Sequence, residues 1–331
     1  MSGLSFIYLS GADVDALSIS NVDILAAVRD VLAAQGRGEA VPEPRTHIFP
    51  PGATGHFNVL RGVVPASAGV KVVGDFVDNH ERGLPSELAL LLLMDPMTGV
   101  PQAIIDATAI TEMRTGAVTA IGAQALAPRE ARVLGHIGAR GTAYWNVRLL
   151  CAVLPGLEEI RVHSRRSASR EAFAARLRAD LGREITVVDS WEACVRGADV
   201  IVEASRLRAP EPLLATEWIS AGALVIPYGT MSAVELSLTD LADKVVVDDW
   251  GQAGAGPLGA LRAHVDSGRL TADSLHAELG QILAGLRPGR ESAEETIVFW
   301  HRGLSITDIA LGRALLDAAG ERGLGTRLPY R

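Results

Sequence analysis

Residues 132–137 read as a short strand that closes on Gly138-Ala139-Arg140-Gly141 and leads at once into a helical pattern from Thr142. No other stretch restricts the fold of this chain so strongly. A strand that turns directly into a helix on small residues lets the backbone reverse tightly and leaves the helix's first N–H groups without partners. Those groups, with the positive end of the helix dipole, make a natural seat for phosphate. The spacing is Gly135-x-x-Gly138-x-x-Gly141 rather than the usual Gly-x-Gly-x-x-Gly/Ala. Read from Gly138, Arg140 stands at the second glycine position and Ala143 at the third small one. An ordinary strand-to-helix turn would look the same, so it is the surrounding strand–helix–strand unit that favours a dinucleotide on Gly138, Ala139, Arg140, Gly141 and Thr142.

That unit belongs to a longer rhythm. Strands are predicted at 132–137, 159–163, 185–188, 200–203, 223–227 and 244–248, with helix-length segments between them, which implies a parallel sheet with right-handed crossovers. Before Pro128 the pattern differs. Helical spacing covers 21–35, with Ser20 or Asn21 as cap and Gly36 as stop. A proline-rich extended stretch follows at 41–51, then short strands at 57–60, 70–76, 88–94 and 101–106, separated by turn signals. An amphipathic helix is predicted over 110–126, and another over 305–319 that packs back on the first domain. The expected fold class is α/β: a Rossmann-type dinucleotide-binding domain over 128–304, and an α+β substrate-binding and dimerisation domain from 1–127 with 305–331.

A chain of 331 residues is long enough for about two cores. Its formal charge of −8 argues against nucleic acid or an anionic membrane surface as the main partner. The two cysteines, Cys151 and Cys194, sit in apolar helical patterns and read as packing in a reducing cytoplasm. No basic stretch with a long apolar run opens the chain, and 88–94 is too short to span a bilayer. The histidines show no metal-ligand spacing, so no metal is expected.

The end of the second Rossmann strand tells the two nicotinamide cofactors apart. An acid there would bond the ribose 2′-OH of NAD, whereas an arginine suits the 2′-phosphate of NADP. Here the residues are Ser164-Arg165-Arg166, which favours NADP(H), with NAD(H) the alternative. In the first half Arg45 follows a proline, Lys71 interrupts an apolar strand, and Arg114 opens a helix against its dipole. An edge lysine and salt-bridged arginines explain these positions as readily as an anion site does.

Taken together these residues resemble the ornithine cyclodeaminase/mu-crystallin family. The resemblance rests on Pro44-Arg45-Thr46, on Lys71 with Asn79 and Gly83-Leu84-Pro85, and on Asp95-x-x-Thr98-Gly99-x-Pro101. Its most specific element is Arg114-Thr115-Gly116-Ala117, and it continues through the glycine turn to Gly303-Leu304-Ser305-Ile306-x-Asp308. It implies a homodimeric oxidoreductase that transfers hydride between nicotinamide and a carbon bearing nitrogen and carboxylate. Arg45, Lys71 and Arg114 would bind the substrate carboxylate, Lys71 would donate a proton to nitrogen, and Asp308 would stand near cofactor and substrate. Ser205, Gly229 and Thr230 would join the glycine turn at the cofactor. The aspartate that true cyclodeaminases carry in the loop 226–235 is replaced by Gly229. The segment 55–61 is unusually polar, and His56 or Arg61 is expected to meet a second substrate carboxylate. The expected activity is reduction of the imine of a 2-oxo acid to an L-amino acid, with a dicarboxylic imine such as iminosuccinate as the leading substrate. Cyclic ketimine reduction, alanine-type dehydrogenation and cyclodeamination are the enzymatic alternatives, and a non-catalytic binding protein is the alternative of another class.

Overall fold

The structure, a computed structural model, describes residues 3–330, the His80 side chain excepted. They divide into two compact units: one is the chain up to Arg114 together with everything from Gly303 onward, the other is Thr115–Arg302.

The first unit is built on a seven-stranded sheet in the order β15-β1-β6-β5-β4-β3-β2. The strands are β1 (Ser5–Leu9), β2 (Val41–Ile48), β3 (His56–Val64), β4 (Ser67–Asp75), β5 (Glu87–Met94), β6 (Pro101–Asp106) and β15 (Thr326–Pro329). Only β1 and β6 run parallel, so the sheet is mixed. The proline-rich stretch becomes the edge strand β2. Pro42 and Pro44 are tolerated there because an edge strand need not donate every N–H. The ladder slips between Glu43 and Thr46, the bulge that carries Arg45. Two helices follow β1: α1 (Gly11–Leu17), closed by a Ser10–Asp13 capping box, and α2 (Asn21–Gly36), whose cap is Ser20.

The C-terminal helix, Ser305–Arg322, lies on one face of this sheet and buries Ile306, Ile309, Leu311 and Leu315. Glycines permit the close approach. A Cβ at Gly69 would stand 3.0 Å from Ile309, and one at Gly62 2.7 Å from the Ser305 hydroxyl. Beneath the helix a cross-strand row of Leu60, Lys71, Leu91, Ile105 and Leu9 is buried throughout, each at 3% exposure or less. Each aliphatic member contributes about 1.5–3 kcal/mol by its burial. Lys71 is the one charge in that row.

The second unit carries an eight-stranded sheet in the order β13-β12-β14-β11-β10-β7-β8-β9. Its strands are β7 (Val133–Ile137), β8 (Glu159–His163), β9 (Thr186–Val187), β10 (Val200–Glu203), β11 (Leu224–Pro227), β12 (Lys244–Val247), β13 (Ala277–Glu278) and β14 (Ile297–Trp300). Every pairing is parallel. From β7 the chain passes to β8 and β9 on one side and returns to β10 and β11 on the other. The order therefore reverses between β7 and β10, which makes this a doubly wound Rossmann-type sheet with its ligand crevice at the carboxyl ends of those strands. Helix α3 (Thr108–Leu126) departs from the amphipathic pattern expected of it. Nearly every residue from Met113 to Ala123 is buried, because small side chains let neighbours close on it from all sides. Helix α4 (Thr142–Val153) follows β7, and α5 (Ser167–Leu181) follows β8. No helix among the described residues is long and apolar enough to cross a membrane.

Candidate active site

In the first unit β4, α3 and the C-terminal helix converge on one carboxylate. Alternation along β4 turns Lys71 inward under the C-terminal helix, where its ammonium donates to Asp308 Oδ1 at 2.5 Å and to Thr111 Oγ1 at 3.0 Å. Arg114 Nε donates to the same oxygen at 2.8 Å. Asp308 lies in the first turn of its helix, where the dipole favours an acid. Its other oxygen, Oδ2, is buried without a partner. Arg114 sits two turns inside α3 rather than at its start, so the helix dipole does not bear on it as expected. Gly303 has φ +76°, and a Cβ there would coincide with the Arg114 guanidinium. Its carbonyl accepts from Arg45 at 2.8 Å. Lys71 and Arg114 thus hold the carboxylate of Asp308, while Arg45 is tied to the Gly303 carbonyl and lies near enough to Lys71 to act on its charge. Burial pushes the Lys71 ammonium down to about 7, against the pull of Asp308 and with the push of Arg114. A lysine held there gives up or takes a proton near neutrality.

The other predicted substrate residues divide by sheet face. His56 shares the face of Leu60 and Lys71; its ring approaches His47 (centroids 5.5 Å apart), and Asn58 Nδ2 lies 3.3 Å from its Nε2. Arg61 points from the opposite face, where it meets Thr46 Oγ1 at 3.2 Å and Glu43 at 3.6 Å. It is not brought to Lys71, because residues 60 and 61 of a strand face opposite ways. His47 on β2 was missed: the proline-rich stretch gave no register, so its face was unreadable.

In the second unit the glycine turn follows β7. Gly138 has φ +115°, and a Cβ there would lie 2.7 Å from the Ala204 carbonyl, so the turn closes only with glycine. Gly141 caps α4 without any side-chain hydrogen bond; Ala143 N donates to the Arg140 carbonyl at 2.7 Å, and a ligand can take N–H groups beside it in the first turn. Arg140 is exposed. A glycine cradle, an uncapped helix of this length and a strand-order reversal fit a dinucleotide pyrophosphate. At the end of β8 Ser164 Oγ donates to the Arg166 carbonyl at 3.3 Å, and Arg165 and Arg166 are exposed. Ser205 and Gly229 follow β10 and β11 and share a buried neighbour that the sequence reading passed over, Glu203. Its Oε1 accepts from Ser205 N at 2.7 Å, and its carboxyl fills the space of a side chain at 229, whose Cβ would lie 2.6 Å from Oε2. Thr230 N donates to the Ser205 carbonyl at 3.2 Å. Burial pushes Glu203 up to about 7, against the N–H groups of Ser205 and Gly229.

Comparison with known proteins agrees with this architecture. The profile of the ornithine cyclodeaminase/mu-crystallin family matches residues 7–323. An alanine dehydrogenase of Archaeoglobus fulgidus is 30% identical over 326 residues, covering 97% of this chain and 98% of its own. Among solved structures, an archaeal alanine dehydrogenase dimer with bound NAD superposes with TM-score 0.91 at 28% identity, over 99% of this chain and 100% of that one. The Δ1-pyrroline-2-carboxylate reductase of Thermococcus litoralis, in complex with NADH and L-proline, gives TM-score 0.90 at 28% identity, over 97% and 99%.

Proposed function

Because the chain belongs to the ornithine cyclodeaminase/mu-crystallin family and is an oxidoreductase acting on carbon–nitrogen bonds, we propose that it reduces the imine of a 2-oxo acid to an L-amino acid. The observation that carries this reading is the buried pair of Lys71 and Arg114 on the carboxylate of Asp308, with Arg45 beside them on the Gly303 carbonyl. Its excess positive charge suits a substrate carboxylate, which the two guanidiniums would bind. The nicotinamide cofactor supplies hydride to the imine carbon when bound. As that C–H bond forms, the C=N π pair passes to nitrogen, which takes a proton from Lys71. Asp308 holds the ammonium in place through Oδ1. Retention of all three cations speaks for catalysis and against a purely binding or structural role.

For the substrate's far end, His56 on the Lys71 face is the group we assign to a second acidic substituent, so that iminosuccinate, giving aspartate, is the leading substrate. Arg61, on the other face, is left out. Glycine at 229 and the Glu203 carboxyl against it speak against cyclodeamination. For the cofactor, Ser164 with the exposed Arg165 and Arg166, and no acid beside them, fits the 2′-phosphate of NADPH, and Arg165→Ala should lower kcat/KM for NADPH about tenfold relative to NADH. We further propose a homodimer formed through the first unit.

Turnover of reduced nicotinamide, followed by absorbance with ammonia and a panel of 2-oxo acids and cyclic imines, tests the reading. Dicarboxylic substrates should give the highest kcat/KM. The reductive rate should fall as pH rises through about 7, when Lys71 loses the proton it must donate. Lys71→Met should cost about two to four orders of magnitude in kcat while NADPH still binds. Tight cofactor binding with no turnover of any imine would leave a binding protein instead.

A further inference from the structure

The second unit holds a buried polar chain that the scheme above does not use. It runs from the glycine turn to the loop after β11. At one end the carbonyl of Gly138 lies 3.1 Å from His136 Nδ1. A carbonyl only accepts, so the ring must keep its proton on Nδ1. Burial holds the imidazole neutral, its pKa pushed down to about 4, so Nε2 has no proton and accepts. The atom 3.2 Å from Nε2 is Asn146 Nδ2, which can only donate. That fixes the amide's orientation, and it leaves Asn146 Oδ1 buried without a partner. The same Nδ2 donates to the Tyr228 hydroxyl. With its oxygen so engaged, Tyr228 can donate its own proton to Thr142 Oγ1, 2.9 Å away. Thr142 then has a proton of its own and no acceptor for it among the described residues.

Thr142 is the first residue of α4, at the uncapped N-terminus that follows the glycine turn. Tyr228 is held for this task. Its ring stacks on His301 with centroids 4.7 Å apart, and His301 is in turn bonded to Thr119 Oγ1 at 2.9 Å. The backbone of its loop is pinned by Tyr228 N and Gly229 N donating to the Glu203 carbonyl, at 2.9 and 3.1 Å.

The geometry points to Tyr228 as a positioning residue that, with His136 and Asn146, orients the Thr142 hydroxyl to donate to a phosphate of the dinucleotide. The directions of the His136 and Asn146 bonds follow from one fixed acceptor, the Gly138 carbonyl, which belongs to the same turn that cradles the pyrophosphate; between Tyr228 and Thr142 either hydroxyl can donate, and the relay takes Tyr228 as the donor. The glycine turn therefore sets both the backbone seat and the polarity of the nearest side-chain donor. This inference rests on the cofactor reading above and names how one part of that site works.

Tyr228→Phe keeps the stacked ring and removes the relaying hydroxyl, Thr142→Val removes the final donor, and Thr142→Ser restores it. Dissociation constants for NADPH and for ADP-ribose, which carries the pyrophosphate without nicotinamide, are measured by fluorescence or calorimetry, with thermal unfolding as the check on folding. Thr142→Val should weaken both ligands about tenfold, the loss of a hydrogen bond to a charged group. Tyr228→Phe should weaken both several-fold, Thr142→Ser should bind as the parent does, and the Tyr228→Phe, Thr142→Val double variant should bind no worse than Thr142→Val alone. Additive losses in the double variant, or a loss for NADPH with none for ADP-ribose, would overturn the relay while leaving the cofactor site intact. Failure of the parent protein to bind either ligand would overturn the cofactor reading along with it.

Discussion

Glu203 and His136 are both buried on neighbouring strands of the second unit, and burial moves them in opposite senses. Glu203 rises from an ordinary value near 4.5 to about 7, and His136 falls from 6.5 to about 4. Between about pH 4.5 and 7 the folded protein keeps a proton on Glu203 that the unfolded chain has released, so this group's contribution falls as pH rises. Between about pH 4 and 6.5 the folded protein leaves His136 neutral while the unfolded chain protonates it, so that contribution falls as pH drops. Across the overlap the two slopes oppose each other. Glu203→Gln removes only the first. Relative to the parent, the variant should gain stability steadily as pH is raised from 4.5 to 7, by about 3 kcal/mol over that span. Parallel Tm-against-pH curves for the two proteins would show that Glu203 does not titrate there. Neither group was legible as special in the sequence. Glu203 ends a strand where an acid is usually solvated, and only its central place between β7 and β11, with the Gly229 loop against its carboxyl, makes it a buried group. Lys71, Arg45 and Arg114 were legible because each breaks a local rule: a charge in an apolar run, a cation after proline, a cation read as opening a helix against its dipole. Asp308, an acid in a first helical turn, breaks none and was legible only through the family resemblance.

Elements were read best where hydrophobic period and punctuation agree. β8, β10 and β6 fall at their expected positions, and α4 begins at Thr142 as the glycine turn demands. β14 was missed although Ile297, Val298, Phe299 and Trp300 are fully buried. Its four residues are too few to show a period, and its place between β11 and β12 is out of chain order. β1, an apolar run of only five residues, shows no alternation, and β15 is four residues with one aliphatic side chain among them and a proline at its end, so pattern alone could not find them. What such elements demand of each other can be tested at glycines. On α3 a Cβ at Gly122 would lie 2.2 Å from the Phe299 ring of β14, in a core with no slack. Gly122→Ala should therefore destabilise by about 1–3 kcal/mol in urea unfolding, the range for overpacking. Gly320, on the exposed side of the C-terminal helix, would meet nothing within 4 Å. Gly320→Ala should stabilise by about 0.5–1 kcal/mol through helix propensity alone. If both substitutions shift the midpoint the same way, helix propensity rather than packing governs these sites.

At the scale of the whole molecule the first unit poses a question that its own core does not answer. Along β5 the inward residues Ala89, Leu91 and Leu93 are at most 6% exposed, as a strand under a helix should be. The outward residues are just as apolar, yet Leu88 and Leu90 are 47% and 53% exposed. Register extends this face across the sheet: Leu90 pairs with Val72, itself 41% exposed, and Leu92 pairs with Val70 and Ile104. A strand that is apolar on both sides is ordinary only when both sides are covered. An exposed contiguous patch of this kind marks an association surface. The homodimer proposed above would cover it, each copy burying about 800 Å² of a self-complementary face. Leu90→Glu with Val72→Lys places charges at paired positions in the middle of that face. Opposite signs limit the damage within one sheet, while a two-fold contact must now desolvate all of them. The double variant should sediment as a monomer at concentrations where the parent is a dimer, with the nicotinamide dinucleotide still bound. If it sediments as the parent does, the outward sheet face is not where the copies meet, and its apolar row must be covered by some other partner.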